Sequence, residues 1–392
     1  MKKLFSILLI ALLLTTSMFT RVFAEGEETT ETNDEEVTVN RIEDIDPSTL
    51  DISKLGEVTE EESKPEPVYA DDEIVRVSIK LEKPATLDIY SAKDVADNVE
   101  AMEYREQLQV EQDIIASDIE SETNKELDVQ WNLTLAANVI SANVEYGDIE
   151  QIKNVSGVED VFVETRYEVQ EDVNTALTTE YMTGATMAWA QGYTGAGSRV
   201  AIIDTGVNDK HVSFDPDAFE YSLTKDGKSL SDYDLLTLNE LTNVLDQLNQ
   251  NNVDTKHNIN SAQDVYKNSK IPFAFNYVDG GYITDHYSDD QGEHGSHVAG
   301  TAAANRYVKK NGNFVEAVDV AGAVGVAPDA QILVMKVFGK NGGAYDSDYF
   351  AAIEDAIILK ADAFNLSLGS GNPGSSFAGV YQDIMDNLVE TH

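Results

Sequence analysis

The fold is decided by residues 200–206, which read VAIIDTG. The first four residues make a short, continuous apolar run, which is typical of a strand buried on both faces of a parallel sheet. Asp204 closes the run, and Thr205 and Gly206 follow it as a turn. We therefore expect the Asp204 carboxylate at the carboxyl end of a buried strand, where the functional sites of open α/β sheets gather.

Two further apolar runs, residues 332–337 and 363–368, have the same character and are separated from each other by helical sequence. Together the three runs predict neighbouring parallel strands in an α/β fold, with helices on both faces of the sheet. Residues 214–271 form an insert between the first two runs. Leucines at helical spacing predict a packed helix in this insert: Leu238, Leu241, Leu245 and Leu248.

The second chemical element is the block at residues 294–301, HGSHVAGT. Its small residues permit a helix to begin close against the sheet, so that His294 can present its imidazole to Asp204. His294 and His297 also share a helical face, as a zinc pair would, but zinc needs three or four ligands and no clustered His or Cys completes the set. The remaining histidines are scattered and are expected to be structural or solvated: His211, His257, His286 and His392.

The Asp-Thr-Gly at residues 204–206 also resembles the motif of aspartic proteases. That chemistry needs two such carboxylates that share a proton. The sequence contains only one Asp-Thr-Gly. Monomeric aspartic chemistry is therefore excluded, and a plain turn at the strand end remains the simple alternative to a catalytic role.

Composition and the first residues define the partners and the compartment. The formal charge of −44, from 71 acidic against 27 basic side chains, would repel nucleic acid and an anionic membrane surface alike. Lys2 and Lys3 precede an apolar run at residues 4–14, which is shorter than the roughly 20 residues that a membrane span needs. This pattern predicts a signal peptide over residues 1–24 and an exported protein with no membrane span in these residues.

The segments between the signal peptide and the sheet differ in composition. Residues 25–70 carry sixteen acidic side chains and little periodicity, which predicts a solvated, disordered leader. Residues 71–170 show the order β-α-β-β-α-β that is typical of a ferredoxin-like unit, with its last strand predicted over residues 158–167. We expect a linker and maturation region at residues 171–190 and the sheet-containing domain at residues 191–392.

Four blocks in chain order resemble the signature of the subtilisin family of serine peptidases. They are VAIIDTGV at residues 200–207, HGSHVAGT at 294–301, GVAP at 325–328 and NLSLG at 365–369. The segments that flank the histidine block look most like the lactocepin type, the large cell-envelope proteinases: residues 271–277 and 335–338. The resemblance implies a subtilisin-like parallel sheet that follows an inhibitory propeptide at residues 71–170. An independent accessory domain is the alternative for that segment.

The resemblance also implies a division of labour between residues. Asp204 would orient and stabilise the imidazole, and His294 would act as general base and then as general acid. His297 and Thr301 would be packing residues. Two edges would bind an extended polypeptide through its backbone. These edges are Ser367, Leu368 and Gly369 on one side, and Gly342 and Gly343 on the other.

The sequence departs from the family pattern in one respect that concerns its chemistry. The family's serine lies in a Gly-Thr-Ser-Met-like turn and its oxyanion asparagine lies in an Ala-Gly-Asn stretch, and residues 1–392 contain neither. The serines at residues 367, 370 and 375 belong to the substrate edge and are not candidates for the nucleophile. We therefore expect that these residues alone do not cleave peptides, and that the strand at residues 363–368 lies at an open sheet edge.

The favoured interpretation is a secreted serine endopeptidase that hydrolyses polypeptides through a Ser-His-Asp triad. These residues carry the Asp and the His of that triad but not the serine. Its partners would be polypeptide substrates and its own propeptide, and association with the cell envelope would need a further region. No cofactor is expected, and no metal ligand is predicted because no EF-hand-like spacing occurs, although structural calcium is common in the family. The alternative is a catalytically inactive relic or a peptide-binding decoy.

Overall fold

The structure, a computed structural model, describes residues 69–93, 95–167, 184–248, 257–286, 289, 291–320, 323–368 and 384. The predicted signal peptide, nearly all of the predicted acidic leader and most of the predicted maturation region lie outside these residues, as does Gly369. Among the described residues, no helix combines the length and the apolar character that crossing a membrane requires.

The first described segment, residues 69–167, contains a small α/β unit. Its elements are β1 (Ile74–Leu81), α1 (Thr86–Ile89), α2 (Val99–Thr123), β2 (Asp128–Leu133), β3 (Val139–Glu145), α3 (Ile149–Ile152) and β4 (Val158–Val163). The strands form an antiparallel sheet in the order β2-β3-β1-β4. The alternating pattern of β1 places Val77 and Ile79 in one buried cluster with Ile115 and Ile119 of α2. Along the chain these elements follow the order β-α-α-β-β-α-β.

The strand predicted over residues 158–167 is wrong in its extent, because the structure divides it. β4 pairs with β1, whereas Arg166–Tyr167 form a separate strand, β5, that pairs elsewhere. The division falls at Glu164, whose buried carboxylate accepts hydrogen bonds from Ser78 Oγ at 3.0 Å and Ser347 Oγ at 2.9 Å. Since these bonds hold the Glu164 side chain in the interior, the chain leaves the β1 ladder after this residue.

The second described segment, from residue 184 to residue 368, is built on a parallel sheet. Its elements are α4 (Ala185–Ala190), β6 (Arg199–Asp204), α5 (Pro216–Thr224), α6 (Leu238–Leu248), α7 (Ala262–Val265), β7 (Phe273–Asn276), α8 (His294–Ala303), β8 (Tyr307–Lys310), β9 (Asn313–Glu316), β10 (Gln331–Lys336), β11 (Ala344–Tyr345), α9 (Asp346–Ile358) and β12 (Ala363–Leu366). The sheet order is β12-β6-β10-β7, and all three pairings are parallel. The predicted parallel arrangement of the three apolar runs is therefore confirmed. The fourth strand, β7, is only four residues long and is not predicted from the sequence.

Helices cover both faces of the parallel sheet. Ile202 belongs to one buried cluster with Ala299 of α8, and its neighbour Ile203 belongs to another cluster with Phe350 of α9. Successive side chains of a strand point to opposite faces, so β6 contributes to two separate layers of the core. This is why the apolar run at residues 200–203 is continuous and does not alternate with polar residues.

The insert contains the predicted helix, α6. Leu241 and Leu248 are fully buried, and the other two predicted leucines are partly buried against the same cluster. The end of α6 also contacts the first segment, where Gln247 Nε2 donates to Ala96 O at 3.0 Å. The insert therefore packs against the first segment as well as against the rest of the second segment.

Shortening a side chain in the central sheet tests this core. Leu333 of β10 is fully buried, so Leu333→Ala should lower the free energy of unfolding by about 2–5 kcal/mol through the cavity that it leaves. The control is Val110→Ala on the exposed side of α2, which should change that free energy by less than about 0.5 kcal/mol. Urea unfolding followed by circular dichroism measures both variants. Equal effects would contradict the assigned core.

Candidate active site

Asp204 is the last residue of β6 and is fully buried. Its Oδ1 accepts a hydrogen bond from Thr205 N at 2.6 Å and lies 2.7 Å from His294 Nδ1. Asp204 and His294 are 90 positions apart in the sequence, so the fold makes this contact. The predicted hydrogen-bond contact is present, and it engages Nδ1 of the imidazole.

Hydrogen bonds on the C-terminal side of His294 hold the start of α8 against the turn that follows β6. Gly295 N donates to Thr205 Oγ1 at 2.9 Å, and Asn208 N donates to Ser296 Oγ at 2.8 Å. The sequence does not reveal these two roles, and the only signal for Thr205 is its position next to the candidate aspartate. Its hydroxyl links the residue after the aspartate to the residue after the histidine.

The start of α8 approaches the turn after β6 so closely that glycine is needed at residue 295, and the turn itself needs glycine at residue 206. A Cβ on Gly295 would collide with the carbonyl oxygen of Gly206 and would lie 3.0 Å from Asp204 Oδ1. Gly206 has a φ of 104°, in the left-handed region that favours glycine, and a Cβ there would collide with the carbonyl oxygen of Thr284. These two motif glycines therefore permit the contact between the aspartate and the histidine.

The predicted substrate edge at Gly342 and Gly343 is occupied by the first segment of the chain. β11, which directly follows these glycines, pairs antiparallel with β5, so that Ala344 lies opposite Tyr167. The Arg166 guanidinium donates to Gly342 O at 3.2 Å and fills the space beside Gly343, where a Cβ would collide with it. This edge therefore pairs with an extended strand through the backbone, and here the strand belongs to the same chain.

The opposite predicted edge lies beyond β12. Ser367 and Leu368 are partly buried, and Ser367 Oγ donates to Asn365 Oδ1 at 2.9 Å. Gly369 is not among the described residues. Within the part of the chain that the structure describes, β5 pairs with β11 alone. The structure thus brings Gly342 and Gly343 to a bound strand and does not bring Ser367 and Leu368 to it.

Two residues of the histidine block are not placed as predicted. His297 and Thr301 are exposed and are not packing residues, because α8 buries its opposite side through Ala299 and Ala303. Thr301 Oγ1 donates to the His297 carbonyl at 3.1 Å on the exposed side. Over the residues described, no group of three or more His, Asp or Glu side chains is arranged to hold a metal ion.

Buried carboxyl groups line the contact between the first segment and the start of α9. Asp346 Oδ2 accepts a hydrogen bond from Thr165 N at 2.7 Å, and Glu164 Oε2 accepts one from Ser347 N at 3.2 Å. Burial, together with the nearby Glu164 carboxyl, raises the pKa of Asp346 to about 8. Burial also raises the pKa of Glu164. Each of these two carboxyl groups therefore connects the two segments, and its buried environment favours its protonated form.

A third buried carboxyl lies farther along α9. Glu354 Oε1 accepts hydrogen bonds from Leu135 N at 2.8 Å and Ala136 N at 2.6 Å. Its other oxygen lies 3.5 Å from Arg105 Nη2, and both side chains are buried. Burial raises the pKa of Glu354, and the Arg105 charge opposes that rise. The desolvation cost of such a pair is offset here by the amide hydrogen bonds.

A Ser-His-Asp hydrolase needs an aspartate that is hydrogen-bonded to Nδ1 of its histidine, and Asp204 and His294 have this arrangement. The chain belongs to the subtilase family, whose sequence profile, described as "Peptidase_S8: Subtilase family", matches residues 195–390.

Two bacterial proteases illustrate the similarity to individual proteins. The PI-type proteinase of Lactococcus lactis subsp. cremoris is 30% identical over 315 residues, which cover 74% of this chain and 14% of that protein. The minor extracellular protease Vpr of Bacillus subtilis is 33% identical over 190 residues, which cover 48% of this chain and 16% of that protein. The chain thus spans only a small part of the length of these relatives. Among solved structures, fervidolysin from Fervidobacterium pennivorans matches 82% of this chain and 40% of its own, with 15% identity and a TM-score of 0.43.

Two glycine substitutions in α8 should have opposite effects on stability. Gly295→Ala places a Cβ against the Gly206 carbonyl, so the helix must move away from the turn, and the free energy of unfolding should fall by about 1–3 kcal/mol. Gly300→Ala in the same helix has open space around the added Cβ and should raise that free energy by about 0.5–1 kcal/mol through helix propensity. Urea unfolding measures both. A Gly295→Ala protein as stable as the wild type would contradict the close approach.

Proposed function

We propose that this chain is the N-terminal part of a secreted subtilisin-like serine endopeptidase. The observation that carries the proposal is the 2.7 Å contact between Asp204 Oδ1 and His294 Nδ1 in a chain of the subtilase family. In this function Asp204 orients the imidazole, and His294 removes the proton of a serine and later returns it to the leaving amine. The serine and the oxyanion asparagine would be supplied by later sequence in a longer gene product.

The substrates in this proposal are extended polypeptides. The edge formed by β11 pairs with a strand through backbone groups, which every polypeptide carries, and the pairing of β5 with β11 supports such binding. Because Gly342 and Gly343 have no side chains, this edge has room for a residue as large as Arg166. Two relatives are named as a proteinase and as an extracellular protease, which agrees with this substrate class.

Residues 71–170 act in this proposal as an inhibitory propeptide. While β5 occupies β11, a substrate strand cannot pair with the same edge. The carboxyl groups of Glu164, Asp346 and Glu354 add hydrogen bonds that cross the same contact. Export follows from the signal peptide at residues 1–24, release of the propeptide would follow cleavage within residues 171–190, and a further region would associate the enzyme with the cell envelope.

A peptide-binding protein without catalytic activity is the second candidate. The pairing of β5 with β11 favours it as well, because strand binding at this edge needs no serine. The two candidates differ in the coding sequence after residue 392, and in whether an activated serine is present.

The test of the proposed function extends the reading frame beyond His392 and assays the longer protein. We expect hydrolysis of casein and labelling by a fluorophosphonate probe, which reacts with an activated serine.

His294→Ala should lower turnover by about 10⁶-fold and Asp204→Asn by about 10⁴-fold, as is found for subtilisin and for the aspartate of a serine-protease triad. His211→Ala, at a histidine whose Nδ1 accepts a hydrogen bond from Ser213 N in a nearby turn, is the matched control and should keep full activity. An extended protein that the probe does not label would contradict the enzyme, and a stop codon directly after His392 would support the second candidate.

The buried carboxyls predict that the propeptide contact weakens as the pH rises. Asp346 has a pKa raised to about 8 from an ordinary value of 3.8. Since the unfolded chain ionises this group first, its contribution to stability is full below about pH 4 and is lost as the pH rises to about 8. Asp346→Asn keeps the hydrogen-bond acceptor and removes the ionisation, so it should flatten this part of the dependence.

Trp131 provides the measurement, because its indole donates to Asp348 Oδ1 at 2.9 Å within the contact. Urea midpoints followed by Trp131 fluorescence, in a Trp189→Phe background that leaves one tryptophan, should fall from acid toward about pH 8 in the wild type. Asp226→Asn, at an exposed side chain, is the control and should keep the wild-type slope. An unchanged slope in Asp346→Asn would assign the pH dependence to other groups.

A further inference from the structure

A buried lysine lies next to the Asp–His pair and takes no part in the chemistry proposed above. Lys336 is the last residue of β10, lies opposite Asp204 in the parallel register and is 1% exposed. Its ammonium donates to the carbonyl oxygen of Thr205 and lies 2.7 Å from Asp289 Oδ2, and the Asp289 side chain is also buried. A cation is therefore present inside the protein at the carboxyl end of the sheet.

The two partners of Lys336 belong to the two loops that carry the pair. Thr205 directly follows the aspartate, and Asp289 lies five residues before the histidine. Asp289 Oδ1 also accepts a hydrogen bond from Gln291 N at 3.0 Å, in the turn that leads into α8. The ammonium thus connects the loop after β6 to the loop before α8, independently of the bond between the imidazole and the carboxylate.

The buried charges around the contact between Lys336 and Asp289 stabilise one another. Asp204 and Asp289 are buried carboxylates, and Lys336 is the buried cation that contacts one of them and lies in register with the other. Asp204 Oδ2 has no hydrogen-bond donor among the residues that the structure describes. A buried carboxylate with an unsatisfied oxygen is costly without compensating charge nearby. The position of the ammonium therefore affects both the loop geometry and the electrostatics of the pair.

A second buried lysine provides the comparison. Lys270 is also fully buried, and its ammonium donates to the carbonyls of Pro328 and Ala330 at 2.9 and 2.6 Å. These residues precede β10, and Lys270 precedes β7, so the bonds lie at the amino end of the sheet, opposite the pair. Burial lowers the pKa of Lys270 to about 7. Lys270 is thus a lysine of equal burial with a structural role.

We propose that Lys336, together with Asp289, is a positioning residue that sets the approach of His294 to Asp204. The importance of that pair depends on the function proposed above, and in this respect the present proposal rests on it. Its test needs only the geometry of the pair and no serine, so the failure of one proposal can be distinguished from the failure of the other.

The experiment observes the His294 imidazole by NMR in the full chain, prepared with isotope-labelled histidine. A proton on Nδ1 that is hydrogen-bonded to a carboxylate gives a downfield resonance, and its loss in His294→Ala assigns it. Lys336→Met should abolish or displace this resonance. Lys270→Met, the matched buried lysine, should leave the resonance at its wild-type position even where the fold loses stability. An equal displacement in both variants would overturn the proposal.

A double variant separates positioning from stability. Lys336→Met alone leaves Asp289 buried without its cation, so the urea midpoint should fall. Combining Lys336→Met with Asp289→Asn removes both charges and should restore much of the midpoint, while the His294 resonance stays lost or displaced. If Lys336→Met does not fold, the His294 resonance is measured in the double variant instead. A resonance that returns to its wild-type position together with the midpoint would show a merely structural ion pair and would overturn the proposal. An extended protein without an activated serine would refute the endopeptidase and would leave this result unaffected.

Discussion

The pairing of β6 along both of its edges is the interaction on which the rest of the site depends. Hydrogen bonds to β10 and β12 hold β6 in register along its length, so Asp204 lies at a fixed place at the end of the strand and is fully buried. A buried carboxylate must find its donors inside the protein. It finds them in the Thr205 amide and in the imidazole of His294. The position of the histidine therefore follows from strand pairing, and the close glycine contacts permit it.

α9 shows how the two segments form one core. A helix that is buried on all sides is ordinarily apolar, yet this one is buried throughout and carries four acidic side chains. Their partners come from both neighbours of the helix, since Arg76 of the first segment pairs with Asp348 and Tyr277 of the second donates to Asp355 at 2.7 Å. The polar residues of α9 are explained by these two neighbours and not by solvent.

The parts of the structure that follow from local sequence could be predicted, and the parts that depend on distant partners could not. The apolar runs identify three of the four parallel strands, whereas β7 is recognised as a strand only from its pairing with β10. The division of the strand at Glu164 depends on Ser347, 183 positions away. The exposure of His297 depends on which side of α8 faces the sheet. Lys336 is a single polar residue within the apolar run at residues 332–337, and only the fold shows that its ammonium is enclosed.

The 90 positions between Asp204 and His294 have a consequence for how the chain reaches this state. The entropy of closing a flexible loop grows only with the logarithm of its length, so that doubling the intervening chain costs about 0.6 kcal/mol. The insert with α6 therefore adds little to the thermodynamic cost of bringing the two side chains together. Its main effect is on the folding rate, because contacts between residues far apart in sequence form late and slow the search for the native topology. A longer or shorter insert should therefore change the rate of folding more than the free energy of the contact between Asp204 and His294.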